Sequence, residues 1–185
     1  MSQLNSLYVN IKIPKDNLER FLQAKPVEAA VDQDWTTWWE SRDMYGKEPL
    51  SKIYFYQQDT NRDVLATTAN ECRIGKDEQM DDGDTEWTFC VVFFSENYEE
   101  SLAMLTWLRS IAPYMDADGE GVALIYDFFW GSGVVMAHLV FKGQEVSFKL
   151  TEDTSELAPA LLEAANNSLQ IAFDAVSAYY GEADQ

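Results

Sequence analysis

The sequence predicts an α+β fold: a mainly antiparallel, twisted sheet of about six strands, packed by two or three helices and ending in a long C-terminal helix. Three observations predict it. Short segments of strand length carry alternating or continuous apolar residues between polar turns. Helical spacing of apolar residues recurs in a few stretches, the longest of them at the C-terminal end. Three late strands follow one another through very short turns, which is a meander.

The elements follow in order. Leu7, Val9, Ile11 and Ile13 alternate with Tyr8, Asn10 and Lys12, the pattern of a half-buried strand that Pro14 ends. Asp16 and Glu19 have capping-box-like spacing, and Leu18, Phe21 and Leu22 follow at helical spacing. Pro26 interrupts this helix or starts another. Val27, Val31, Trp35, Trp38 and Trp39 continue an apolar stripe to about Arg42. Residues 52–57 read as a strand and 63–69 as its hairpin partner across a polar turn. Residues 76–86 read as an exposed, mobile acidic connection that contains Asp81, Asp82 and Asp84.

The second half opens with a strand over 86–94, apolar on both faces. A helix follows, marked by Leu102, Leu105, Leu108 and Ile111. Segments 122–130, 134–142 and 145–150 form the meander, joined by Gly131-Ser132-Gly133 and Gly143-Gln144. Asp153 and Glu156 are placed to cap the final helix, whose buried stripe reads Leu157, Leu161, Leu162, Leu169, Phe173, Val176 and Tyr180. Residues 13–19 resemble 93–99 in pattern, so two pseudo-repeat halves, 1–75 and 86–185, are an open alternative within one domain spanning 1–185. Each half would then be a β-α-β-β unit. The simpler account is that strand-to-helix turns commonly use these residues.

Composition bounds the function. The formal net charge is −19, from 32 acidic and 13 basic residues. Such a charge repels phosphate backbones and anionic membrane surfaces, so direct nucleic-acid binding and membrane binding are not expected. It favours a basic protein partner and speeds encounter with it. Two cysteines, Cys72 and Cys90, make no disulfide framework, and residues 1–5 read as no signal peptide. The cytoplasm is the expected compartment. No cofactor motif is present: neither a Walker loop nor a dinucleotide fingerprint occurs.

Candidate chemistry is sparse. Asp116, Asp118, Glu120, Gly121 and Asp127 match a calcium loop in outline. Glu at the fifth position, Asp at the twelfth and a strand-like continuation favour a plain acidic turn. His138 is the only histidine and stands in a strand, with no nucleophile evident from the sequence. The aromatics are more informative. Trp35, Trp38 and Trp39 share one helix face beside Asp32, Asp34 and Glu40, while Phe128, Phe129 and Trp130 crowd a hairpin end. Core packing is the ordinary role of such stripes; the functional one is a set of aromatic anchors rimmed by acids. The partner-binding candidates are therefore Trp35, Trp38, Trp39, Asp81, Asp82, Asp84, Phe129 and Trp130.

At the level of class, a small acidic α+β protein without a catalytic motif is similar to bacterial immunity proteins, which neutralise basic toxin enzymes. An inhibitor of that type is the leading expectation. The alternatives are a dimeric secretion-chaperone-like protein, a DNA mimic, and an enzyme using carboxylates around Asp116 to Asp127. The oligomeric state is left open.

Overall fold

A computed structural model describes residues 4–28, 30–43, 46–71, 76–81 and 83–183. Six strands form one fully antiparallel sheet: β1 (Asn5–Lys12), β2 (Lys76–Met80), β3 (Glu86–Ser95), β4 (Glu120–Tyr126), β5 (Val135–Lys142) and β6 (Glu145–Lys149). Their order across the sheet is β2-β3-β1-β4-β5-β6. Five helices are present among the described residues: α1 (Lys15–Gln23), α2 (Gln33–Ser41), α3 (Asn61–Glu71), α4 (Tyr98–Arg109) and α5 (Pro159–Ala183). The α+β class and the long closing helix are as expected; the helices exceed the expected two or three.

The sheet is a central layer. One face carries Leu7, Val9, Ile11, Trp87, Phe89 and Ile125 against residues of α1 to α4. The other carries Tyr8, Cys90, Leu124 and Tyr126 against Ala165, Leu169 and Ala172 of α5. β1 was expected to be half-exposed, with Tyr8 on its polar side. Instead it lies between β3 and β4, and α5 covers Tyr8. Burial, helped by the charge of Glu86, pushes the Tyr8 phenol up to about 12. Because β1 pairs with both β3 and β4, the two sequence halves share one sheet.

Residues 52–57 and 63–69 do not form a hairpin. Leu50–Lys52 is a single 3-10 turn, 53–57 has no regular structure, and 61–71 is α3. The reason is capping. Thr60 and Asp63 bond reciprocally: the Thr60 N–H donates to Asp63 Oδ2 at 3.1 Å, and the Asp63 N–H donates to Thr60 Oγ1 at 3.1 Å. Val64, Leu65 and Thr68 then fall on one buried helical face. Without that hairpin the first half is not a β-α-β-β unit.

Other boundaries moved for local reasons. α2 starts only at Gln33, where the Asp32 side chain accepts from the Trp35 N–H at 3.1 Å, so Val27 and Val31 stay outside the helix and exposed. Within 76–86, expected as an exposed connection, residues 76–80 instead form β2, which pairs antiparallel with β3. Asp153 and Glu156 do form a capping box, yet it caps the 3-10 turn Thr154–Glu156, and α5 begins three residues later at Pro159. In α5 the small residues Ala165 and Ala172 take the sheet-facing positions beside Leu169, while Leu161, Leu162, Phe173 and Val176 are half-buried. Cys72, and the side chain of Tyr180, lie outside what is described. No described helix is long and apolar enough to cross a membrane.

Candidate functional site

The strongest candidate grows from the end of β4. The strand stops at Tyr126, four residues earlier than its apolar run suggests, because Asp127 folds the chain back on itself. Asp127 is nearly buried. Its Oδ1 accepts from the Trp130 N–H at 2.8 Å and its Oδ2 from the Ser132 N–H at 2.8 Å. Burial alone would raise its pKa, but these hydrogen bonds outweigh it and hold the carboxyl below its ordinary value. Gly131 and Gly133 take the left-handed conformations, φ 74° and 78°, that such a tight return needs. The loop closes where the Asp127 N–H donates to Val134 O at 3.0 Å.

This scaffold presents apolar side chains to solvent. Phe129 rests on Phe93 and Phe173, with ring centres 4.9 and 5.5 Å away, and Trp130 stands edge-on to Phe129 at 5.1 Å. Phe129 is 41% exposed and Trp130 55%; Val134 and Leu150 are 53% and 51% exposed. The loop is also tied to an acidic segment. The Thr154 N–H donates to Gly133 O at 2.8 Å and the Val135 N–H to Glu152 O at 2.9 Å. Glu152, Asp153 and Glu156 are thereby held next to Val134. Beneath them Arg42 is buried, donating from Nη1 to Val135 O at 3.1 Å and to Thr151 O at 3.0 Å. Its desolvation lowers its pKa, and Glu152 and Glu156 partly offset the effect.

The other sequence candidates are placed elsewhere. Trp35, Trp38 and Trp39 are core, not surface: Phe148 stacks on Trp38 at 4.3 Å and meets Trp35 edge-on at 4.7 Å, while Trp39 Nε1 donates to Glu48 O at 3.0 Å. Their helical spacing faces inward, as amphipathic stripes usually do. Beside them an open groove of about 960 Å³ runs along β6, with Trp35, Arg109, Tyr114, Val146 and Lys149 in its walls. There Asp34 accepts from the Phe148 N–H at 2.7 Å, which occupies an outward donor of the edge strand. Asp81 shapes the β2–β3 turn, accepting from the Thr85 N–H at 2.6 Å and the Glu86 N–H at 3.0 Å. Asp84, at φ 54°, pairs with Lys15 at 3.6 Å. Asp82 lies outside the described residues.

The calcium-loop candidates do not converge. Glu120 begins β4 and Asp127 follows its last residue, about 23 Å further at strand rise. Asp116 accepts from Asn17 Nδ2 at 3.1 Å and Asp118 pairs with Lys12 at 3.3 Å. The calcium reading needs these carboxylates together, and among the described residues no such cluster forms. His138 is half-buried with Nδ1 2.9 Å from Thr151 Oγ1, and burial followed by the charge of Lys149 pushes its pKa down.

A comparison with protein-family models, curated proteins and solved structures found no match to this chain.

Phe129 and Trp130 stand out in the sequence, but what holds them at the surface does not. An Asp directly after a strand, with Gly four and six positions later, signals a tight turn whose backbone the carboxylate can hold. That pattern is present at Asp127, which the sequence offers as a calcium ligand or as one of the carboxylates of an enzyme. Val134 and Leu150 carried no such signal, since their exposure depends on where β5 and β6 end.

Proposed function

We propose that this chain is a protein-binding protein of the immunity type, which neutralises a basic partner such as a toxin enzyme. The observation that carries the reading is the loop 127–134. It holds a tryptophan and a phenylalanine at the surface on a backbone organised by a nearly buried carboxylate. Preorganised aromatic anchors lose little conformational entropy on binding, and such anchors dominate interface energetics. Glu152, Asp153 and Glu156 supply an acidic rim, and the net charge of −19 draws in a cationic protein from a distance.

The test uses the protein encoded beside this one. The two are purified separately and titrated by calorimetry at low and moderate salt. The reading expects a complex that weakens as salt rises, and that Trp130→Ala and Phe129→Ala each weaken by roughly tenfold or more. A neighbour that does not bind, or binding indifferent to both substitutions, overturns it.

A further inference from the structure

Glu120, Lys142 and Glu145 are direct cross-strand neighbours on β4, β5 and β6, and all three are exposed. Along this row the charge alternates negative, positive, negative. Opposite charges facing one another across strands stabilise the pair, so the next member of the row is a cation. The adjacent row lies on the other face and runs Gly121, Phe141, Val146. Val146 packs there against the core, so the next member of that row is apolar.

The backbone invites such a continuation. β6 ends the sheet. In an antiparallel pair the N–H and C=O groups of successive residues point alternately toward the neighbouring strand and away from it. The Phe148 N–H points away, since it donates to Asp34 Oδ2 at 2.7 Å. Val146, two residues earlier, therefore also presents its N–H and C=O outward. Neither group is hydrogen-bonded outward among the described residues. Val146 lines the groove of about 960 Å³, whose walls also hold Val27, Ala112, Pro113 and Tyr114. Asp34 keeps the Phe148 N–H, so pairing is open at Val146 and toward the Gly143-Gln144 turn.

We infer that β6 is a docking edge for an extended segment of a basic protein, added antiparallel as a seventh strand. One apolar residue of the segment pairs with Val146: its N–H donates to Val146 O and its carbonyl accepts from the Val146 N–H. The following residue is a lysine or arginine that faces Glu145. Strand addition of this kind draws affinity from main-chain hydrogen bonds and specificity from alternate side chains. The net charge of −19 favours the same cation. A second copy fits less well. The self-pairing that sets Lys149 against Glu145 needs the Phe148 N–H, which Asp34 holds, and two chains of −19 repel. The inference takes the basic character of its partner from the reading above, but it concerns another surface.

A peptide tests it without the neighbouring protein, so its failure leaves the Trp130 loop untouched. The probe is Ser-Thr-Val-Lys-Thr-Ser, blocked at both ends and titrated into the whole isotope-labelled protein. The expected result is saturable binding in about the millimolar range, with the Val146 amide resonance shifted and its hydrogen exchange slowed. Glutamate in place of the peptide lysine, N-methylation of the peptide valine and Glu145→Lys each weaken binding roughly fivefold. Val146→Pro abolishes it, because proline lacks the outward N–H; an edge strand accepts proline where that N–H faces solvent, and an unchanged circular dichroism spectrum checks the fold. Glu145→Lys, at an exposed position, carries the test if that spectrum changes. No saturable binding, equal binding of the glutamate or N-methylated peptide, or a Val146 amide that does not respond overturns the inference. So does a dimer of the protein alone that Val146→Pro disperses, which assigns the edge to a second copy.

Discussion

The Trp130 N–H donates to Asp127 Oδ1 at 2.8 Å, so the exposed indole is positioned by a carboxylate that is itself nearly buried. Both oxygens of Asp127 are engaged, the second by the Ser132 N–H. Asp127→Ala orphans two backbone donors and should cost about 2–4 kcal/mol of unfolding free energy. The pH dependence has a definite sign. The folded pKa is depressed, so the stabilisation is complete above the ordinary Asp value of 3.8 and fades as pH falls through the lower folded value. Urea unfolding of wild type and variant should therefore differ most near neutrality and converge below about pH 4.

The two glycines of this loop should respond differently to alanine. Both have positive φ, so each substitution carries backbone strain of about 1–2 kcal/mol. A Cβ on Gly131 meets nothing within 4 Å. A Cβ on Gly133 would sit 3.0 Å from Asp153 Oδ2 and 3.3 Å from Thr154 Oγ1. To make room the Asp153 carboxylate must give by a few tenths of an ångström, which loosens the capping box that holds the acidic rim. Thermal unfolding should show Gly133→Ala melting below Gly131→Ala; equal midpoints would mean that the box yields freely.

Buried tryptophans offer a comparison in which hydrogen bonding, not size, decides. Trp38 Nε1 is buried without an acceptor, whereas Trp107 Nε1 donates to Asn61 Oδ1 at 2.8 Å in the core. Trp38→Phe removes an unsatisfied donor along with some packing on Phe148. Trp107→Phe removes similar volume and also strands the Asn61 carbonyl, whose amide is held by Phe21 O at 2.8 Å. Trp107→Phe should be the more destabilising by about 1–3 kcal/mol in denaturant titrations.

The sheet was legible wherever its pattern was local. The β4–β5–β6 meander follows from Gly143-Gln144 and the period-two runs beside it, and its paired register is observed. The position of β1 was not, because alternation reports how polar a face is and not what later covers it. Tyr8 looks like a surface residue until α5, some 150 residues downstream, lies over it. The error at 61–71 has another origin. Val64, Thr67 and Thr68 favour strands intrinsically, but the Thr60–Asp63 box and the burial of Val64, Leu65 and Thr68 outweigh propensity. At the site, Phe129 and Trp130 were visible by composition. The capping-box acids beside Val134 were not, since only the Val134–Asp153 bridge brings them there.

His138 makes the chain's response to mild acid readable, because it is the only histidine and carboxylates titrate lower. Its folded pKa lies below the ordinary 6.5, first through burial and then through the charge of Lys149 across the strand pair. Between the two values the unfolded chain binds a proton that the folded one refuses, so stability rises with pH in that window. The native state should keep its full stability above about pH 6.5, lose some as pH falls below it, and level off once the folded imidazole also protonates. His138→Gln keeps a polar partner for Thr151 Oγ1 but cannot titrate. Its unfolding free energy should be flat where that of wild type slopes, as read from urea titrations at successive pH values between neutrality and the onset of carboxylate protonation. Parallel slopes for the two proteins would show that the imidazole is as free to protonate in the folded chain as in the unfolded one.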